Sequence, residues 1–428
     1  NPDDWPTYRH DGLRSGATES PVPAALHPAW QVRAGRRLSS PVIADGKVFV
    51  ANVDAHTVHA LDAASGKCAW CHTADARVDS PPTVHDGLAI FGSADGSVRC
   101  LRASDGALAW RFRAAPHQQG VVACDQVESP WPVPGSVLVH DGKCWFAAGR
   151  SSYLDGGIHV YALAPATGRV LTERTVYHAD PQTGKQPFSA SASIIPGLLN
   201  DIPGTDGAEV FIRQMCVSSP EARGGLHLFT TGGYLDSSWF NRTFWKAGRA
   251  QTSGLMVLGK DAAYGVEIYP SRSRETVFKP AARGYRLTCY SLTETAPAPP
   301  AGKAGRAAAA QPKVLWEQLL PIRITAMVRA ADTIFVAGPP DSVDPKDPHG
   351  SWEGRKGGVL AALAASDGRK LAEYPLDSPP VWDGMAAAAG RLYLATLDGN
   401  VICLQQATAG TGNGEPEDVK SDKGRMAK

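Results

Sequence analysis

VHALDAASGKCAW at residues 58–70 returns at 98–110 as VRCLRASDGALAW, with Trp70 and Trp110 in the same place. Each copy reads as an alternating strand, a tight turn ending in Gly66 or Gly106, and a second strand that carries the Trp. Both copies are therefore antiparallel hairpins, and helical spacing fits neither. A forty-residue period built from strands alone predicts the blades of a β-propeller. One such sheet cannot bury both faces and must stack on its neighbours around a ring.

Working outward, the same plan gives blades over 41–71, 82–112, 136–172, 255–319 and 325–374, with a degenerate blade over 197–245 whose outer strand falls around 239–245. HPAWQVRA at 27–34 reads as an outer strand without inner partners, and 385–389, 391–396 and 400–404 read as inner strands without an outer one. The two ends are expected to share a blade and close the ring, which removes exposed sheet edges. The expectation is all-β: a single propeller of about seven four-stranded blades over residues 26–405. An ordered arm (1–25) precedes it, a low-complexity loop interrupts it (295–312), and a polar tail (406–428) follows.

SSPVIADGKVFVANVDAHTVHALDAASGK, RVDSPPTVHDGLAIFGSADGSVRCLRASDGALAWRFRAAP and DSPPVWDGMAAAAGRLYLATLDGNVICL resemble the PQQ-like propeller repeats of exported bacterial proteins, with the signature Ala-x-Asp-x-x-Thr/Ser-Gly-x-x-x-Trp. The resemblance covers about residues 30–404. It implies a superfamily that includes quinoprotein alcohol dehydrogenases and the propeller lipoprotein that assists outer-membrane barrel assembly. The dehydrogenases hold PQQ with adjacent cysteines and calcium, and this chain has no Cys-Cys pair. A bound PQQ and quinoprotein dehydrogenase activity are therefore not expected.

Composition narrows the function classes. Lys+Arg 43 against Asp+Glu 42 leaves a net charge of +1, with no electrostatic footprint for nucleic acid. No apolar run is long enough for a membrane-spanning helix. The chain starts at Asn1 without Met, which fits a processed protein placed in the periplasm or elsewhere outside the cytoplasm.

One chemical motif stands out. Cys68-Ala69-Trp70-Cys71-His72 is C-x-x-C-H, the attachment signature of c-type haem: two thiols bond the porphyrin and the imidazole binds iron. The expected cofactor is one covalent haem c, with Cys68 and Cys71 as attachment points and His72 as the proximal ligand. It would act in electron transfer to a redox partner or in chemistry on a small haem ligand. His56, His117 and His178 are candidates for the sixth position, with Met256, Met327 or a Tyr as further alternatives. On a regular strand Cys68 and Cys71 would face opposite ways, so attachment requires the outer strand of this blade to break between Cys68 and His72. The alternative is a haem-free scaffold in which the five residues are ordinary strand positions, and which binds a protein or carbohydrate through its insertions.

Those insertions, at 114–129, 149–156, 176–189, 217–225, 270–284 and 338–357, all fall on one face of the disc. Repeat folds carry binding sites on such a face. Arg77, Asp79, Glu128, Arg150, Asp155, Arg213, Trp239 and Arg242 are candidates to line a ligand funnel there, or to tie blades together as ion pairs.

Overall fold

The computed structural model describes residues 1–180, 182–185, 197–219, 226–238, 243–268, 285–296 and 310–407. The chain folds as an all-β propeller of eight blades, not about seven. Blades 1, 2 and 3 are four-stranded antiparallel sheets that begin at Val42–Ala44, Thr83–His85 and Leu138–His140. The correction falls between 197 and 252, where the sequence suggested one degenerate blade. Gly204–Thr205, Val210–Ile212 and Met215–Cys216 form one three-stranded sheet, blade 4. Leu228–Thr230, Trp245–Ala247 and Ala250–Thr252 form another, blade 5. Strands of two or three residues are too short to alternate legibly, and neither sheet has the Gly-ended turn of the repeat. Blades 6 and 7 begin at Met256–Leu258 and Ala326–Ala330.

Blade 8 closes the ring. Pro380–Ala388, Arg391–Thr396 and Asn400–Gln406 supply its inner strands, and Leu26–Arg33 pairs antiparallel with Asn400–Gln406 as its outer strand. The termini thus meet in one sheet, as the strand pattern predicts. Of the outer strand expected around 239–245, residues 239–242 lie outside the described residues and Trp245 opens a strand of blade 5; nearly all of the loop at 295–312 and the tail from 408 also lie outside them.

The repeat signature has a physical reading in the stitch between neighbours. In four blades the Trp of the outer strand reaches the turn of the next blade, packs on its Gly and donates its indole N–H to a turn carbonyl. Trp30 donates to Ala63 (3.1 Å), Trp70 to Ala103 (3.0 Å), Trp110 to Pro165 (2.8 Å) and Trp316 to Ala365 (3.0 Å). Gly66, Gly106, Gly168 and Gly368 all have positive φ, and a Cβ on any of them would lie within 2.8 Å of the indole. Only glycine both turns the chain there and leaves room for the ring.

Residues 3–18 occupy the centre. This arm pairs with the inner edge of one blade after another. Asp3 accepts from Ala389 in blade 8, Trp5 pairs with Ile43 in blade 1, and Pro6 accepts from Val84 in blade 2. The Arg14 guanidinium donates to Val137 at blade 3, and Gly12 accepts from Thr205 in blade 4. The Arg9 guanidinium lies 4.9 Å from the Trp245 ring of blade 5, Ser15 accepts from Leu258 in blade 6, and Ala17–Thr18 runs parallel to the inner strand of blade 7. The arm makes one circuit of the channel before the chain leaves to form the outer strand of blade 8. Trp5, Tyr8 and Arg14 are buried there. Arg9 Nη1 donates to both carboxylate oxygens of Asp383, at 2.8 and 2.9 Å. The Asp383 charge, with Tyr8 adding to it, raises the Arg9 pKa although burial opposes it.

Candidate functional site

The Cys68–Thr73 strand is continuous. It pairs with Thr57–Asp62 as Leu61↔Cys68, Ala60↔Trp70, His59↔Cys71, Val58↔His72 and Thr57↔Thr73. Ala69 is the extra residue of a β-bulge, and the same bulge precedes the equivalent position in the outer strand of all six four-stranded blades. A bulge reverses alternation. Cys68 and Cys71 therefore share one face rather than opposing each other, a correction to the reading of a regular strand. Both thiols are exposed. Burial, and after it the neighbouring Cys71, raises the Cys68 pKa.

Trp70 and His72 hold the other face. The His72 ring packs 6.2 Å from Phe91 of blade 2, and burial lowers its pKa. An attached haem needs both thiols and the imidazole around one porphyrin, but here the sheet separates them. As folded, the pentapeptide does not fit haem c. The histidines proposed as sixth ligands are engaged elsewhere: His56 with Gln126 (2.7 Å), His178 with Ser152 (2.7 Å), and His117 edge-on to Trp131, while Met256 and Met327 are buried in the core of blades 6 and 7. Among the described residues, no group of three or more His, Cys, Asp or Glu is gathered around a common point for a metal ion.

The charged candidates on the insertion-rich face do gather in part. Arg77 donates to Glu128 (2.7 Å) and to Asp79 (2.8 Å), with Glu128 buried. Burial works against the Arg77 charge, but the hydrogen bond to Glu128 and the field of Asp79 outweigh it, so its pKa rises. For Asp79 burial wins over Arg77, and its carboxyl is raised. Arg150 stands apart, 3.5 Å from the Ser129 carbonyl. Arg213 lies 3.8 Å from Asp201 and donates to the Gly232 carbonyl (3.1 Å), and the Asp155 carbonyl accepts from Trp131 (2.7 Å). Trp239 and Arg242 lie outside the described residues.

What the Arg77–Glu128 pair anchors is a feature the sequence reading passed over. Within the 114–129 insertion, Val121–Ala123 and Gln126–Glu128 form a two-stranded hairpin. Its turn residues, Cys124 and Asp125, both have positive φ (50° and 60°), a strained choice where Asn-Gly is usual. Glu128 fixes one end. Gln126 fixes the other, on the 53–56 loop of blade 1, through His56 and the Asp54 carbonyl (3.2 Å). Val122 and Val127 face each other across the hairpin and are 82% and 69% exposed. No third described strand pairs with either outer edge. The hairpin is rigidly mounted, apolar on its outer face and open along both edges.

Comparison with known proteins agrees with this fold. The family described as outer membrane protein assembly factor BamB matches residues 21–193, less than half of the chain. The outer membrane protein assembly factor BamB of Yersinia pestis is 35% identical over 154 residues, which are 35% of this chain and 36% of that protein. The match thus spans little more than a third of that relative's length. Quinohemoprotein alcohol dehydrogenase from Comamonas testosteroni superposes over 98% of this chain and 83% of its own, with a TM-score of 0.57 and 14% identity. Quinohemoprotein alcohol dehydrogenase ADHIIG from Pseudomonas putida HK5 does so over 97% and 82%, with a TM-score of 0.57 and 12% identity. At those identities the likeness is one of fold. The chain carries PQQ-like β-propeller repeats.

Proposed function

We propose that this propeller is a binding platform outside the cytoplasm, and that its hairpin at 121–128 captures an extended segment of a protein partner by strand addition. The observation that carries the reading is the Val122–Val127 pair on a hairpin with two open edges. The outer strands of the blades also end their sheets without a further partner, but the arm covers the inner strands, and Val122 and Val127 are the most exposed large apolar side chains among the described residues. An exposed apolar edge is a liability that a protein retains for use. Main-chain pairing along that edge supplies affinity, and the valines select partner segments with apolar residues at alternate positions. The printed role of the Yersinia pestis relative, outer membrane protein assembly, supports both an extracytoplasmic location and a partner rich in alternating strands. Among the described residues no helix is long and apolar enough to cross a membrane.

The test is fluorescence anisotropy with labelled peptides copied from transmembrane strands of outer-membrane barrels. The reading expects saturable binding that falls at least tenfold in Val122→Lys/Val127→Lys, with the melting temperature unchanged. Equal binding by the variant, or none by the wild type, overturns it.

The haem reading rests on the pentapeptide and on two thiols sharing an exposed face, and the position of His72 opposes it. Protein made with an active haem attachment system separates the two: a Soret band that survives acid-acetone extraction would establish the haem and refute the haem-free platform.

A further inference from the structure

On the same face as the hairpin, but over blades 5 to 8, lies a cleft of about 230 Å³ that none of the described charged candidates from the sequence lines. Three indoles line it: Trp245 from blade 5, Trp352 from the 338–357 insertion of blade 7, and Trp382 from the start of the inner strand of blade 8. Two of them are held from behind. Trp245 rests on the Arg9 guanidinium of the central arm and edge-on against Tyr234, with ring centroids 5.5 Å apart. Trp382 gives its N–H to the Tyr234 carbonyl at 2.9 Å. The third carries the Arg323 guanidinium stacked on its ring.

Hydroxyls complete the wall: Ser237 and Ser238 lie on an exposed turn beside Asp236, while Ser253 opposite is already hydrogen-bonded to Glu267 (3.0 Å) and to the Ile268 N–H (2.8 Å). Among the described lining residues the charges are the Asp236 carboxylate and the Arg323 guanidinium, one of each sign. A ligand bearing several carboxylates or phosphates would meet one cation and one repelling anion. An apolar ligand would take water from the Ser237 and Ser238 hydroxyls without replacing it. What matches aromatic faces rimmed by hydroxyls, with one donor and one acceptor of opposite sign, is a neutral polyol ring: its C–H face stacks on indole and its hydroxyls take the rim. The volume is below the roughly 300–1,000 Å³ of sites for drug-sized ligands, which suits a single ring.

We propose that this cleft binds one neutral sugar unit, free or at the end of a glycan. The site is independent of the hairpin, and either can fail without the other. The experiment uses the full chain with methyl glycosides of glucose, galactose and N-acetylglucosamine and their β-linked disaccharides, read by tryptophan fluorescence and by saturation-transfer NMR. At least one neutral sugar is expected to give a saturable fluorescence change with transfer to one ring face. Trp352→Ala and Arg323→Gln, both on surface loops, are expected to weaken it at least tenfold while the melting temperature holds. Ser238→Trp, which fills the cleft without touching its support, is expected to abolish binding. The proposal is overturned if no neutral sugar binds at millimolar concentration, if only sugar acids bind, or if folded Trp352→Ala and Ser238→Trp bind as wild type does.

Discussion

Asp201 shows what burial does to a single carboxyl in this ring. Its pKa is pushed up to about 6 because burial outweighs both Arg213 at 3.8 Å and the backbone N–H groups of Ile202 and Tyr234. In the unfolded chain it ionises near 3.8, so between those values the folded state holds the proton and the unfolded state has lost it. Its stabilising contribution is whole at low pH and disappears as pH rises through 6, a loss of about 3 kcal/mol. Urea unfolding of Asp201→Asn is expected to remove this slope between pH 4 and pH 6, relative to wild type. Trp70 acts at the same scale: Trp70→Ala empties the stitch to Gly106 and leaves the Ala103 carbonyl short of a donor, at a cost of about 3–5 kcal/mol in denaturant titration. Both the Trp and its Gly were legible in the sequence because the pair repeats at a fixed spacing. Asp201 was not, since nothing local to an isolated Asp records how far it is buried.

At the scale of elements, the bulge at Ala69 decides how Cys68 and Cys71 behave. They lie opposite Leu61 and His59, two residues apart on the neighbouring strand, so their Cα atoms are about 7 Å apart on one face. A trivalent arsenical such as phenylarsine oxide is expected to bridge them as a single adduct seen by intact mass, which thiols on opposite faces could not allow. Native thiol titration is expected to separate the exposed Cys68, Cys71 and Cys124 from the buried Cys100, Cys144, Cys289 and Cys403. The pentapeptide itself is plain in the sequence. The bulge that disposes its side chains is a property of the pairing register, which no single strand displays. The 121–128 hairpin was hidden for a related reason. Its strands have three residues each, and its turn is Cys-Asp, without the glycine that signals a two-residue hairpin. Cys124→Asn/Asp125→Gly is expected to relieve the positive-φ strain, raising the melting temperature slightly while partner binding is kept.

For the whole molecule, the ring and its closure could be read because strand periods and turn glycines recur. The count of eight could not, because the strands of blades 4 and 5 are too short to show a period and their turn glycines, Gly207 and Gly248, do not sit where the repeat puts them. The arm is the larger surprise of scale: nothing in DWPTYRHDGLRSGAT alternates, yet its backbone serves the inner edges of most blades. Arg14 shows how deep it sits. Burial drags its pKa down to about 10, with Tyr234 and Asp11 resisting, and its donors reach the carbonyls of Pro203, Tyr8 and Val137. Removal of residues 1–18 is expected to lower the melting temperature steeply and to promote self-association, measurable by light scattering, since the inner strands would lose their cover. The arm precedes every blade it touches, and two of its fastenings wait for the last sheet: a chain that stops before residue 380 leaves Leu26–Arg33 without a mate, and the channel thread without the Asp383 that clamps it. Completion of the ring is in this way written into its architecture, and a quality-control protease needs only to sense a loose arm to tell a finished ring from an abandoned one.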